Sequence, residues 1–208
     1  MNIAFEISPL ITASGSFGDK SGVYRYTYGL IASLYSLLQK KDNQSNIVLF
    51  SFNHSFVKYP LNPEMLTLCN QKNIIFIKKI PRVRHADITT SELLNLSFFK
   101  HIAKIINAFI PIKSMHENYA HTLQQRKYVL FLTTQLKKYH VTHIFHSQTG
   151  FCHMKDFKNI TTIYDLTPFL LRDFHRIETF DLQKRKIMFT QRECDGIIAI
   201  SKTTKKDL

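Results

Sequence analysis

Apolar positions along the chain switch between two periods. Asn2 to Ile7 is a short apolar run stopped by Ser8-Pro9, the pattern of a buried strand. Ile11 to Ser21 is rich in Gly, Ser and Thr and predicts a loop. From Gly22 the spacing changes: Val23, Tyr26, Leu30, Leu34 and Leu38 recur at helical intervals. That helix is expected to end near Lys40-Lys41, where cations suit the negative end of the helix dipole.

The same alternation runs to the end of the chain. Asn46 to Phe52 and Asn73 to Lys78 predict two more strands, and Ser91 to Phe109 and Tyr119 to Tyr139 predict long helices. Thr142 to Phe145 predicts a short strand ahead of His146, and Ile160 to Tyr164 another, cut by Asp165 and Pro168. Arg176 to Arg192 reads as a helix, Gly196 to Ile200 as a last strand, and Ser201 as the cap of a helix over Ser201 to Leu208. Near-continuous apolar strands alternating with helices predict a parallel sheet covered on both faces. Right-handed crossovers make this an α/β, Rossmann-like, doubly wound, mostly parallel sheet, expected as a single domain over residues 1–208.

Composition narrows the class. Of 208 residues 44% are hydrophobic and only 21% charged, the opposite of a disordered chain. The net charge of +13 acts on partners through its field. Nucleic acid, an anionic membrane surface and a phosphate-bearing small molecule all fit. No spaced Cys/His finger and no aromatic RNA-binding signature occurs, and the basic residues are scattered, Lys184-Arg185-Lys186 being among the densest runs, so nucleic acid is not expected. Cys69, Cys152 and Cys194 are odd in number and far apart, which argues for a reducing compartment. The start MNIAFEISPL has no basic n-region, and no run of about 18 apolar residues exists to span a membrane. A cytoplasmic chain, peripheral on the inner face of the cytoplasmic membrane, is the expectation.

In open parallel sheets, ligands bind outside the carboxyl ends of the strands. After the first strand comes GSFGDKSG, Gly15 to Gly22, leading into Val23-Tyr24-Arg25-Tyr26. Glycine lets backbone N–H groups approach a ligand, and a helix start adds partial positive charge. The segment is neither a G-x-G-x-x-G fingerprint nor a P-loop with a GK[ST] ending, and a Gly/Ser turn is its plain alternative. His140, His143 and His146 are three apart and alternate faces in a strand, so no metal site is expected. His146 follows a predicted strand and is a candidate for lining the cleft, against a core or solvated histidine. The helix Leu93 to Ile112 carries a broad apolar face flanked by Lys100 and Lys104. It reads either as a core helix with a basic outer face or as a helix lying on anionic lipid.

Three stretches add a resemblance. SGVYRYTYGLIASL (Ser21 to Leu34) resembles the helix start "tGiGRYtrnLl.aL" of family-4 glycosyltransferases. TTIYDLTPFLLRDFH (Thr161 to His175) resembles their "vvtiHDliPl.yPe.f" segment, and ECDGIIAISKTTKKDL (Glu193 to Leu208) their "aDaiiavSe.sk.dl" segment. They occur in the family's order, and NIAFEISPLI fits the family's start. The resemblance implies the acceptor-side half of a GT-B architecture, in which two Rossmann-like domains face each other. The donor-binding domain with its E-x7-E motif is expected to be absent from this chain, in which no E-x7-E occurs. It also implies retaining transfer of a hexose from a UDP- or GDP-sugar, bound only with a C-terminal domain. No metal and no other cofactor is expected, and the acceptor is a glycan or lipid-linked sugar, as in cell-surface polysaccharide biosynthesis. Gly18, Ser21, Gly22, Val23, Arg25 and Tyr26 are then substrate-binding candidates, with His146.

One departure matters. The family's His-Asp pair corresponds to Tyr164-Asp165, the catalytic candidates here. A tyrosine hydrogen-bonds but is no ready base near neutral pH, and Asp165 also reads as a plain turn residue. Two functions therefore stand side by side. One is a transferase half, inactive alone and complemented by a separate donor-domain chain. The other is a non-catalytic remnant or split-gene product that binds a glycan or a partner.

Overall fold

The computed structural model describes residues 2–13, 20–41, 44–81 and 112–208, with side chains from 124 onward in the last stretch. Two compact units result: Met1–Lys79 with Leu132–Leu208, and Ile80–Phe131. In the second unit Gln124 Nε2 donates to Pro81 O at 3.2 Å, and the rings of Tyr128 and Phe131 lie 6.4 Å apart. The predicted helices over Ser91 to Phe109 and Leu93 to Ile112 fall outside the described residues apart from Ile112, where the next helix begins.

The first unit is built in the order β1 (Asn2–Glu6), α1 (Ser8–Thr12), α2 (Gly22–Lys41), β2 (Ile47–Phe50), α3 (Pro63–Cys69), β3 (Ile74–Phe76), α4 (Ile112–Lys138, which starts in the second unit), β4 (Val141–His146), β5 (Lys158–Ile163), α5 (Thr167–Leu170), α6 (Ile177–Glu193), β6 (Gly196–Ala199) and α7 (Lys202–Asp207). Single 3-10 turns stand at Phe56–Lys58 and Arg172–Phe174. All strand pairs are parallel, in the order β3-β2-β1-β4-β5-β6. This is the doubly wound, Rossmann-like order, with its reversal between β1 and β4.

Local chemistry explains the boundaries. Lys40 and Lys41 close α2 as expected. Asn62 caps α3, its Oδ1 accepting from Met65 N at 2.9 Å with Pro63 in the first turn. Ser201 caps α7 by accepting from Thr204 N at 2.9 Å. His140, one of the spaced histidines, has φ 50 and ends the α4 turn, its N–H donating to Lys137 O. Three elements differ from expectation: α4 begins at Ile112, ahead of Tyr119; α3 was not foreseen; and α1 takes Ile11 and Thr12 from the expected loop. Ser8-Pro9 does not only stop β1; it opens the short helix α1, because proline suits a first helical turn and the Glu6 carboxylate accepts from Ser8 N.

The register separates two unlike faces. Ile3, Phe5, Ile47, Leu49 and Ile74 share one face and pack with Leu10, Ile11, Tyr24, Ile31, Met65 and Leu68 in a single apolar cluster. On the other face, Ala4 pairs with Val48 and Ile144, Ile144 with Asn159, and His146 with Thr161. This second face turns polar toward the carboxyl ends. Glu6, His146, Asn159 and Thr161 are buried there, together with Gln183, Lys186 and Thr190 of α6.

The apolar face makes a direct stability test. Ile31 is fully buried and Leu37, on the same helix, is 54% exposed. Ile31→Ala is expected to lower unfolding free energy by about 2–5 kcal/mol, and Leu37→Ala to change it by no more than about 0.5 kcal/mol. Urea denaturation of both variants measures this, and equal effects would contradict the packing described.

Candidate functional site

Four loops leave the carboxyl ends of β1, β2, β4 and β5, and one acidic side chain ties three of them together. Glu6 is 1% exposed. Its carboxylate accepts from Ser8 N and Phe52 N, each at 3.2 Å, and from the hydroxyls of Ser8 and Ser147. Ser51 Oγ stands 2.8 Å from Ser8 Oγ and extends the cluster to the end of β2. Burial raises the Glu6 pKa against the pull of these hydrogen bonds, yet all four partners donate, the geometry that suits the ionised form. A Cβ at Gly150 would fall inside this carboxylate, so only glycine fits where the β4 loop crosses Glu6.

The opposite charge comes from α6. Lys186 is fully buried, and its ammonium donates to Ser147 O and lies 5.0 Å over the Phe151 ring. Burial pushes its pKa down to about 8, opposed by Cys194 and Glu6. Ser147 thus gives its hydroxyl to the buried acid and its carbonyl to the buried base. A pair of this kind costs several kcal/mol if one partner is removed.

His146 lies beside this pair. Its ring is stacked with Phe52 at 5.6 Å and meets Phe189 edge-on at 4.9 Å. Nε2 donates to Asn159 Oδ1 at 3.0 Å, because Asn159 uses its amide to donate to Met154 O and Phe157 O. Burial pushes the ring down to about 4, so it is neutral near pH 7. Among the described residues Nδ1 has no hydrogen-bond partner. At 3% exposure His146 is a covered ring between aromatic side chains.

A second, half-exposed cluster forms at the end of β5. The Tyr164 hydroxyl is 3.5 Å from Thr27 Oγ1, which itself donates to Val23 O at 2.8 Å, so the tyrosine is the donor. The Tyr26 ring meets Tyr164 edge-on at 5.2 Å, and Thr204 Oγ1 donates to Tyr164 O at 3.1 Å. Burial pushes the Tyr164 phenol up to about 12; it stays a neutral hydrogen-bonding group and no base. Asp165 is exposed, and its Oδ1 accepts from Thr167 N and Thr167 Oγ1 at 3.1 and 2.7 Å, closing the first turn of α5 as a local turn residue does.

The other candidates surround the start of α2. Ser21 O accepts from Arg25 N at 3.1 Å, Gly22 and Arg25 are exposed, and Val23 is half-buried. Among the described residues, a Cβ on Gly22 would meet nothing within 4 Å. Lys20 pairs with Glu64 at 2.9 Å, and Glu64 also accepts from Tyr24, which pins the first turn of α2 to α3. Gly18 lies outside the described residues. The structure therefore joins Tyr26 and Tyr164, holds Ser21 to Arg25 on the adjoining turn, and surrounds His146 with Phe52, Asn159 and Phe189 instead.

Glu6, Ser147, Gly150, Asn159 and Lys186 were missed by sequence reasoning. Two signals exist: an acid inside the apolar run Asn2 to Ile7, and Gln183, Lys186 and Thr190 at helical spacing on one stripe of α6. All three cysteines are free, and burial pushes the Cys69 and Cys194 thiols up to about 11. Among the described residues no group of three His, Cys, Asp or Glu side chains is arranged to hold a metal, and no helix is long and apolar enough to cross a membrane. Compared with protein-family models, curated proteins and solved structures, the chain matches none.

Two measurements test this arrangement. Gly150→Ala is expected to destabilise the fold by at least about 2 kcal/mol, while Gly22→Ala stays within about 0.5 kcal/mol; thermal and urea melts separate them. For His146 the folded pKa lies below the unfolded one. Its stability term is full above pH 6.5 and is lost as pH falls toward about 4, an effect on the order of 3 kcal/mol. Burial of Glu6 acts in the opposite sense above its ordinary range, so the wild type is compared with His146→Phe across that window. The stability difference is expected to shift against the wild type as pH falls; a constant difference would contradict the buried neutral ring.

Proposed function

We propose that this chain is the acceptor-binding half of a retaining, sugar-nucleotide-dependent glycosyltransferase. One observation supports the reading above the others. The three stretches that resemble family-4 glycosyltransferases lie far apart in sequence, yet they meet at Tyr164 of the second, which Tyr26 and Thr27 of the first and Thr204 of the third contact. This convergence lies at the carboxyl end of β5, on the edge where open parallel sheets bind ligands.

The cluster offers two half-buried phenol groups and their aromatic faces, which suits a hydroxyl-rich ligand such as a sugar ring; the buried Thr27 and Thr204 hold Tyr164 in place. Beside it, no described residue lies within 4 Å of a Cβ on Gly22, at the start of the 20-residue helix α2, and Arg25 supplies a planar, charged fork. The donor, a UDP- or GDP-sugar, is expected to bind a separate domain. The acceptor is a glycan or a lipid-linked sugar. Binding and orientation are what these residues supply. A proton acceptor is not among them, because the Tyr164 phenol is held near 12 and Asp165 is engaged by Thr167.

That last point favours a second reading. A tyrosine stands where the family carries histidine, and a chain without that group suits a glycan- or partner-binding remnant.

The test combines the chain with a separately expressed donor half of a family-4 enzyme, radiolabelled nucleotide sugars and lipid-linked or free glycan acceptors. The chain alone is expected to transfer nothing. The complemented mixture is expected to transfer sugar, with Arg25→Ala, Tyr164→Phe and Gly22→Val each lowering transfer about tenfold or more, roughly 1.4 kcal/mol, at unchanged melting temperature. The valine is informative because no described residue opposes a Cβ there. Transfer unaffected by Arg25→Ala would remove the loop from the site. Glycan binding without transfer in any mixture would favour the second reading.

A further inference from the structure

We propose that the rim following β5, residues Phe169 to Ile177, is a docking surface for an anionic lipid bilayer. Within nine residues five large apolar side chains face solvent: Phe169 at 36%, Leu170 at 67%, Leu171 at 52%, Phe174 at 84% and Ile177 at 54% exposure. Scattered apolar residues are ordinary on surfaces; a contiguous set marks an interaction site.

The exposure is built, not frayed. Leu170 N and Leu171 N donate to Leu166 O and Thr167 O, and Phe174 N and His175 N donate to Leu171 O and Arg172 O. Phe180 of α6 holds the segment from two sides, with the Phe169 ring at 5.3 Å and the Arg172 guanidinium at 4.7 Å. Pro168 is buried beneath. Leu170, Leu171 and Phe174 are therefore held outward by a defined turn.

Shape and charge together select the occupant. A phenylalanine 84% exposed stands clear of the surface, so it suits a medium that deforms around it. Arg172 and Arg176 interleave with the apolar residues, with Asp173 between them and the exposed acids Glu178 and Asp181 following on α6. Farther along the exposed side of α6, Lys184 and Arg185 precede Met188, which lies eleven residues from Ile177 on the same helical stripe. Apolar tips entering the acyl boundary with cations at the phosphate level is the interfacial pattern. The net charge of +13 adds attraction to an anionic leaflet within about a Debye length. The surface does not rest on the sugar-transfer reading, and vesicle binding is read without nucleotide sugar, so either idea can fail alone.

The test is co-sedimentation of the full chain with vesicles of phosphatidylcholine alone and of phosphatidylcholine mixed with phosphatidylglycerol, at low and high salt. The chain is expected to bind only the anionic vesicles, and less at high salt. Leu170→Ser with Phe174→Ser is expected to lower the bound partition about tenfold or more, with unchanged circular dichroism and melting temperature. Arg176→Gln with Lys184→Gln is expected to remove part of the salt-sensitive binding. If the double serine variant misfolds, Phe174→Ser alone carries the test. Absence of binding to anionic vesicles, or binding that Phe174→Ser leaves unchanged, would overturn the proposal. So would a lipid-free dimer of the wild-type chain that the serine variants dissociate, since a second copy would then be the occupant.

Discussion

The carboxyl ends of this sheet depend on a buried acid. Glu6 collects donors from the segments after β1, β2 and β4, and no solvent replaces them at 1% exposure. Burial raises its pKa, and a carboxyl group in such a place is tolerated only with its oxygens satisfied and an opposite charge nearby. Lys186 supplies that charge through Ser147, and Gly150 supplies the space. The arrangement is costly to disturb at any single point, which is why it holds loop geometry better than apolar packing would. Hydrophobic contacts tolerate sliding; four directed donors on one carboxylate do not.

From this follows the division of the first unit into unlike faces. The face toward α2 and α3 is apolar and supplies the bulk of the burial. The face toward α6 carries a buried polar layer that fixes the loops. α1 links the two: Ser8 is held by Glu6, while Leu10 and Ile11 sit in the apolar cluster with Tyr24 of α2. The position of Tyr26 and Thr27, and with it the group around Tyr164, is thus set from both sides of the sheet. A hydroxyl-rich seat made of residues this well placed needs little reorganisation on binding, the condition under which modest contacts give useful affinity.

Much of the scaffold was legible because it rests on local periodicity. The α2 helix, its basic end, the Ser201 cap and the strand before His146 all follow from spacing and capping rules acting over a few residues, although the buried face of α2, Tyr24, Thr27 and Ile31, lies one position beyond the Val23, Tyr26 and Leu30 stripe. The α1 helix was not legible, since Ser8-Pro9 reads equally as a strand stop, and the carboxylate that accepts from Ser8 N, Glu6 two residues before it, sits inside an apolar run. Of the candidate site, Tyr26 and Tyr164 were named separately and the fold puts their rings in contact; Asp165 does the turn work that its type and neighbours suggest. His146 ends its strand as expected, but the aromatic cover from Phe52 and Phe189 is tertiary and left no trace in the local pattern. Glu6 and Lys186 are 180 residues apart, and their partnership through Ser147 was invisible for the same reason. Lys186 in particular sits in a basic run whose exposed members, Lys184 and Arg185, conceal a buried one.

The claim that Glu6 organises the carboxyl edge, including the start of α2, is tested most directly by residue-resolved amide hydrogen exchange of Glu6→Gln against the wild type. A glutamine keeps the shape but turns one acceptor into a donor facing donors. The account predicts faster exchange at Ser8 and Phe52, spreading to Thr27 and Tyr28 in α2, with the amides of Val48 to Phe50 in β2 still protected. Unchanged exchange at Ser8 and Phe52, or an effect that stops there and leaves α2 untouched, would contradict it.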